Sequence, residues 1–529
     1  ATSTPKPSPY VVPPTQEFDG NDGEWSTFKI SVGTPGQEFR VLPSTKTGET
    51  YVVLPEGCVE GDGKDCPSER GAQIFQSQQN SGFNVNESTT WSAIGTYDVG
   101  LEDRLNYTAG AMFGYDTIAL GPASDSSSLS LDHQVVGGYA ETSYWMGYLP
   151  LGIPDSSFSS LSQSIDSFMY QLRNSTKIPS LSFGYTAGAK YRLKGTFGSL
   201  ILGGYDSTRF NPNQNSFSFS FATDPSRLLT VGVESIMASN TLQGTYSLSS
   251  GAHFSLLDST VPHLWLPRDI CDNFETAFGL TYDSTTDLYL VNDTIHSQLQ
   301  SKNPQITIKL VNSLTDTSVN YTNIVLPYAA FDLQAGYPYY NSGPKNYFPI
   351  RRAANDTQYT LGRTLLQEAY LIVDYERANF TIAQATFPDP LPAAEIITVE
   401  PPSDTVSKPS NSKSGLSTGA IAGIAAGGAA LVILLIVGLI IFCLKKRGAK
   451  KRYELANTQV SESGSGRHIN PSASALKESN EPQELQGTQL AELASPREGD
   501  HKPYLNPNNP QELDTPASTP RWREVTAQH

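Results

Sequence analysis

WSTFKISVGTPGQEFRVLPSTKTGETYVVLPEGC, residues 25–58, decides how the rest of the chain is read. An apolar run leads into a G-T-P-G-Q turn. A second run follows, then a polar loop, then a third run that ends at Pro55. Short β-branched runs separated by turn residues predict three strands of a β meander.

Outward from there the pattern repeats. FKISV (28–32), SLILGG (199–204), LLTVGV (228–233), ITIKLV (306–311) and AYLIVDY (369–375) are broken by Gly, Asn, Asp and Pro. Their length and β-branched content predict an all-β unit, with short helices around 160–172 and 271–278. Residues 24–387 are too many for one β domain, so two lobes are expected, 24–218 and 219–387. Residues 1–23, rich in Pro, Ser and Thr, read as a flexible leader.

Composition excludes several classes. Lys plus Arg is 36 against 52 Asp plus Glu, a net charge of −16 and a pI near 4.9. A nucleic-acid binder needs a basic face instead. Charged residues are only 17%, with 43 Gly and 36 Pro, which disfavours helical bundles. Four cysteines in 529 residues exclude a disulfide-dense scaffold.

The C-terminal third points to a membrane. Gly419 to Leu444 carries no charge and ends in LVILLIVGLIIFCL. At about 1.5 Å per residue it spans a hydrocarbon core of about 30 Å with some tilt. Lys445, Lys446, Arg447, Lys450, Lys451 and Arg452 follow, which places that end in the cytoplasm. Sequons at Asn86, Asn106, Asn174, Asn292, Asn320, Asn355 and Asn379 all precede residue 380. They predict a lumenal, glycosylated N-terminal portion. The chain begins at Ala1 without an apolar leader, as expected once a signal peptide is gone. Residues 388–418 read as a Pro/Ser stalk, and 445–529 as a polar, disordered cytoplasmic tail. The expected location is the plasma membrane or another secretory-pathway membrane. Gly419, Gly423 and Gly427 share one helix face and permit a homodimer. Cys443 at the cytoplasmic edge suits palmitoylation or stays a silent thiol. Ser495-Pro496, Thr515-Pro516 and Thr519-Pro520 suit proline-directed kinases.

Five motifs in order carry a family resemblance. The 25–58 meander resembles the first lobe of the pepsin family of aspartic peptidases, where D-T-G-S-S-x-x-W-V follows the G-T-P-x-Q turn. FGYDTIALG (113–121) resembles the strand after the active-site flap. YLPLGI (148–153), GSLILGGYDSTRF (198–210) and TLGRTLLQEAYLIVDYERANFTIAQA (360–385) resemble later family segments. The resemblance covers about 25–387. It implies a bilobal all-β fold with one carboxylate loop from each lobe, and no cofactor or metal.

That chemistry needs two carboxyls sharing one proton. The ionised member activates a water, and the protonated member hydrogen-bonds to the peptide carbonyl. Here Ser44 stands in the first Asp position, and Thr45 keeps the hydroxyl, but Lys46 replaces the Gly. In LLDSTVPHLWLP (256–267), Asp258 and Ser259 are present and Thr260 replaces the Gly. A degenerate dyad is therefore expected, with Asp258 lacking a like-charged neighbour. Glu38 and Glu49 are the nearest acids in sequence that could substitute. Thr45 and Ser259 are expected to bond across the lobe interface. Tyr107 is the flap candidate, with Tyr97 the other, and a glycan on Asn106 would crowd the cleft.

The family often closes a small disulfide loop after the third strand, which implies Cys58–Cys66. Cys271 is then a buried thiol or an intermolecular bridge. Gly415–Gly419 matches G-x-S-x-G but lies in the stalk, not between a strand and a helix. No H-E-x-x-H or C-x-x-C occurs and the His residues are scattered, so no metal is expected. The combined expectation is a single-pass surface glycoprotein with little or no proteolysis that binds peptide or wall material. It resembles fungal surface members of the family. The alternatives are an active aspartic-type endopeptidase using Asp258 with a non-standard partner, and an adhesive wall protein.

Overall fold

The computed structural model describes residues 6–59, 61–158, 164–213, 218–222, 227–315 and 320–402. The expected span at 419–444 with Gly419, Gly423 and Gly427, the tail, and the stalk from 403 onward lie outside the described residues. Among the described residues no helix is long and apolar enough to cross a membrane.

Three large sheets form most of the unit. The first has eight strands in the order Pro14–Asp19, Trp25–Val32, Gln37–Ser44, Gly147–Pro150, Thr50–Val53, Leu129–Tyr139, Gly110–Leu120 and Ser92–Asp98. The second runs Tyr321–Pro327, Gln305–Val311, Thr230–Thr241, His253–Leu257, Thr360–Leu361, Leu264–Leu266 and Ile350–Arg352. A six-stranded sheet contains Ser182–Ala189 and Thr196–Leu202 together with Ala369–Asp374 and Asn379–Gln384. Strands from both halves of the sequence thus share one sheet. Ser182–Ala189 is buried along its whole length, as expected of a strand covered on both faces.

The first two sheets contain the same local arrangement twice. Gly147–Pro150 lies parallel to Gln37–Ser44 and antiparallel to Thr50–Val53, between them. Thr360–Leu361 lies parallel to His253–Leu257 and antiparallel to Leu264–Leu266, again between them. Each inserted strand ends at a glycine packed on a loop. A Cβ on Gly152 would fall 2.5 Å from the Lys46 carbonyl oxygen, and one on Gly362 would fall 2.5 Å from those of Val261 and His263. Glycine alone permits these approaches. This duplicated unit makes the molecule bilobal, and it presents residues 44–47 and 258–261 to one another.

Two expectations need correction. Tyr10–Val12 and Pro14–Asp19, read as part of a flexible leader, are strands, the first paired with Thr196–Leu202. Ile396–Thr398, read as stalk, pairs with Gly204–Asp206. In both cases Pro-rich composition gave the local signal, while the partners of Tyr10–Val12 and Ile396–Thr398 lie far away in sequence and only Pro14–Asp19 pairs with a neighbour, Trp25–Val32. Helices occur at Phe168–Asn174 and Arg268–Phe278, as expected, and also at Asp293–Lys302. The last is capped by Asn292, whose side chain accepts from the Ile295 amide.

Cys58 and Cys66 form a disulfide. Cys271 is wholly buried, and burial pushes its thiol pKa up to about 12, which suppresses thiolate chemistry. Of its two readings, the buried thiol is the one observed.

Candidate active site

Ser44 ends its strand with the Leu151 amide donating to its carbonyl at 2.8 Å. Asp258 follows His253–Leu257, and its own amide donates to the Leu361 carbonyl at 3.1 Å. Both side chains are fully buried where the lobes meet. Next to them the hydroxyl residues cross-brace the loops. The Thr45 amide donates to Ser259 Oγ at 2.9 Å, and the Ser259 amide donates to Thr45 Oγ1 at 3.0 Å. Ser259 Oγ in turn donates to the Pro43 carbonyl at 2.7 Å. Arg363 donates to the carbonyls of Ser259 and Thr260 at 3.0 and 2.6 Å, support that no sequence signal had singled out.

Two hydroxyls face each other across the floor between the loops. Ser44 Oγ and Thr260 Oγ1 are 2.7 Å apart. The amides of Lys46 and Thr47 each donate to Ser44 Oγ at 3.3 Å. The Thr260 amide donates to Asp258 Oδ1 at 2.9 Å. Thr260 brings a side chain where a glycine would leave space, and its hydroxyl occupies the gap facing Ser44.

A second carboxyl does stand beside Asp258, contrary to expectation, and it is neither Glu38 nor Glu49. Glu38 pairs with Lys29 at 3.0 Å, and Glu49 accepts from the Tyr51 hydroxyl at 2.5 Å. The carboxyl is Glu102, from the loop between the strands Ser92–Asp98 and Gly110–Leu120. Glu102 is wholly buried and lies beside Asp258. Lys46 Nζ lies 2.7 Å from Glu102 Oε2 and 3.8 Å from Asp258 Oδ2. Glu102 Oε1 and Asp258 Oδ2 are both buried without a hydrogen-bond partner. Burial first, and the Asp258 charge second, push the Glu102 carboxyl well above the usual range, against the pull of Lys46. Burial disfavours the Lys46 ammonium, but Glu102 and Asp258 outweigh it and raise its proton affinity.

The 99–109 loop, the segment expected to act as a flap, reaches across to the second lobe. Its Glu102 amide donates to the Tyr144 hydroxyl at 3.1 Å. Leu105 packs against Val261 and Trp265 of the second lobe. The Gln358 amide group donates to the Arg104 carbonyl. Tyr107 belongs to this loop, half-buried, with its ring 5.7 Å from that of Tyr144. It flanks the flap tip and lies beside Tyr339 and Arg351. Tyr97 lies on the strand that leads into the loop, packed on Phe113 and Phe158. Asn106 is exposed at the tip in a left-handed conformation, φ 63°. A cavity of about 730 Å³ opens on one side of the lowered flap, lined by Lys46, Tyr51, Leu101, Phe113, Phe158 and Leu256 among others.

The seven sequon asparagines are all described. Asn86, Asn106, Asn174, Asn292, Asn320 and Asn355 are exposed, and Asn379 is half-buried. Among the described residues no His, Cys, Asp and Glu cluster is suited to hold a metal ion.

A bilobal β fold with duplicated strand units, paired hydroxyl loops and a flap defines the pepsin-like class. Residues 27–385 match the family model described as eukaryotic aspartyl protease, and the chain belongs to that family. It is 24% identical over 375 residues to aspartic proteinase 3 of Saccharomyces cerevisiae, a match covering 68% of this chain and 60% of the yeast protein. The solved aspartic proteinase from Irpex lacteus is similar at 15% identity and a TM-score of 0.45, covering 72% of this chain and 98% of that one.

Proposed function

We propose that this chain is a membrane-anchored, pepsin-like surface protein whose cleft binds peptide with little or no turnover. One observation carries this reading: the Ser44–Thr260 hydroxyl contact at 2.7 Å takes the place of the first carboxylate. The carboxyl beside Asp258 comes from the flap and leaves with it when peptide enters. Lys46 then remains as the group facing Asp258. An ammonium offers a counter-ion, not the second carboxyl that the water-activating pair requires. A two-lobed groove with its catalytic pair lost keeps its capacity for an extended peptide, bound through backbone hydrogen bonds and side-chain pockets.

The remaining features of the reading come from the sequence. The span at 419–444 anchors the protein with its β unit outside, and the exposed sequons suit a glycosylated ectodomain. The tail reports binding to the cytoplasm. Cells whose protein lacks residues 453–529 test this last point. Full rescue of a deletion phenotype by a truncated protein that reaches the surface removes the sensing role and leaves an adhesive one.

A second reading is favoured by the Glu102–Asp258 contact itself. In it the protein is an aspartic-type endopeptidase whose carboxyl pair is Glu102 and Asp258. Cleavage of acidic-range peptide substrates by the purified full chain separates the two. Turnover abolished by both Asp258→Ala and Glu102→Gln supports the endopeptidase, and no turnover above the Asp258→Ala background removes it.

A further inference from the structure

We propose that the Lys46–Glu102–Asp258 contact is a latch: a lysine from the first lobe and a carboxyl from the second hold the flap tip on the cleft floor, and peptide enters only when it opens. The inference deepens the peptide-binding reading and rests on it for the identity of what enters.

Three separate segments meet at this point. Lys46 belongs to the first loop, Asp258 to the second, and Glu102 to the flap. The Lys46 ammonium reaches Glu102 at 2.7 Å and Asp258 at 3.8 Å. Glu102 and Asp258 are wholly buried, while the Lys46 side chain retains 23% exposure. A buried carboxyl is costly without partners, and Glu102 has these partners only while its loop lies on the cleft floor. Around Glu102 the other polar groups are Tyr144, Tyr148, Asp103, Arg104 and Arg227. The Tyr144 hydroxyl accepts from the Glu102 amide rather than from its carboxyl.

The charge count gives the latch a direction. With Glu102 protonated, the cluster holds one carboxylate and one ammonium and is neutral. With Glu102 ionised it holds two buried carboxylates against one ammonium. The lowered flap raises the proton affinity of Glu102, so the closed state binds more protons than the open one. Closure is therefore fully supported below the ordinary carboxylate range of about 4.3, and weakens as pH rises from there through the raised value. A lumen or medium near neutrality loosens the flap, and acid shuts it.

Amide hydrogen exchange on the full chain tests this, read as protection factors for residues 99–109 after correction for intrinsic rates. The wild type is expected to lose at least tenfold protection between pH 4.5 and pH 8. Glu102→Gln imitates the protonated carboxyl and should stay protected at both. Glu102→Ala should be unprotected at both, while the 305–311 strand stays protected in every variant and reports intact folding. Parallel pH profiles for wild type and Glu102→Gln, or wild-type protection in Glu102→Ala, overturn the latch. Peptide binding is measured on the same samples. An opened flap in Glu102→Ala with no peptide bound upholds the latch and removes the binding reading.

Discussion

The hydroxyls of Ser44 and Thr260 stand 2.7 Å apart at the cleft floor, and each fills space that a catalytic loop of this family would use differently. Ser44 lacks the carboxylate, and Thr260 adds a side chain in the gap facing it. Restoring one residue therefore leaves the other two obstacles, Lys46 and Thr260, in place.

For that reason Ser44→Asp alone should leave peptide cleavage near the wild-type background. The triple variant Ser44→Asp, Lys46→Gly, Thr260→Gly removes the ammonium and opens the floor. It should raise kcat/KM at acidic pH by about 100-fold or more, the lower end of what acid–base groups contribute. A triple variant that folds and stays at background would show that the flap, and not the floor, limits turnover.

Ser259→Ala tests the cross-brace. It strands the Thr45 amide and the Pro43 carbonyl, both in the buried interface. At about 1–3 kcal/mol per unsatisfied group, the loss should total about 2–6 kcal/mol in urea unfolding. Ser259→Thr keeps the hydroxyl and should cost less.

Arg70 anchors the segment that supports the flap. Its buried guanidinium donates to the carbonyls of Gly57, Ala140, Glu141, Tyr144 and Trp145. Arg70→Met should lower stability by at least about 3 kcal/mol, because several carbonyls lose their donor together. Arg70→Lys should recover only part of this, since an ammonium lacks the planar fork. Thermal denaturation followed by circular dichroism reads both.

His263 predicts an acid sensitivity. Burial first, then Arg351 and Arg363, holds its pKa well below the ordinary value, so it is neutral in the fold. A depressed histidine contributes stability that is present above the unfolded pKa of about 6.5 and is lost as pH falls below it. The slope approaches about 1.4 kcal/mol per pH unit for this one group. Unfolding free energies at pH 7.5, 6 and 5 should show the decline. His263→Phe should flatten it, and an equal slope in that variant would assign the acid sensitivity elsewhere.

The proposed anchor has its own check. The full chain should stay with membranes after alkaline carbonate extraction, and a chain ending at residue 402 should not. Release of the full chain would remove the span at 419–444 from the reading.

Much of the fold was legible because its signals are local. Turn residues and β-branched runs marked the strands around Trp25–Val32, Gln37–Ser44 and His253–Leu257, and their order matched a family pattern. The Thr45 and Ser259 hydroxyls were legible as braces because they occupy equivalent positions in two similar loops. The strands at 10–12 and 396–398 were not legible because their partners are remote, and 14–19, which pairs with the adjacent Trp25–Val32, was hidden by a composition that suggests loose chain.

By itself the sequence predicted Ser44 in the position of a family carboxylate, Asp258 in the other, and Lys46 and Thr260 where glycines are usual. Those are identities at positions counted from strand and turn motifs, and such counting needs no three-dimensional information. Only the tertiary structure decided what surrounds Asp258. Glu102 sits in a flap loop with no motif of its own, and nothing in its neighbours announces a carboxyl partner. Its approach follows from the hairpin folding across the lobe interface, where Leu105 packs on Val261 and Trp265 and Lys46 supplies the counter-charge. Burial and electrostatic partnership are properties of distance in space, and the chain carries Glu102 to Asp258 only through its long-range pairing.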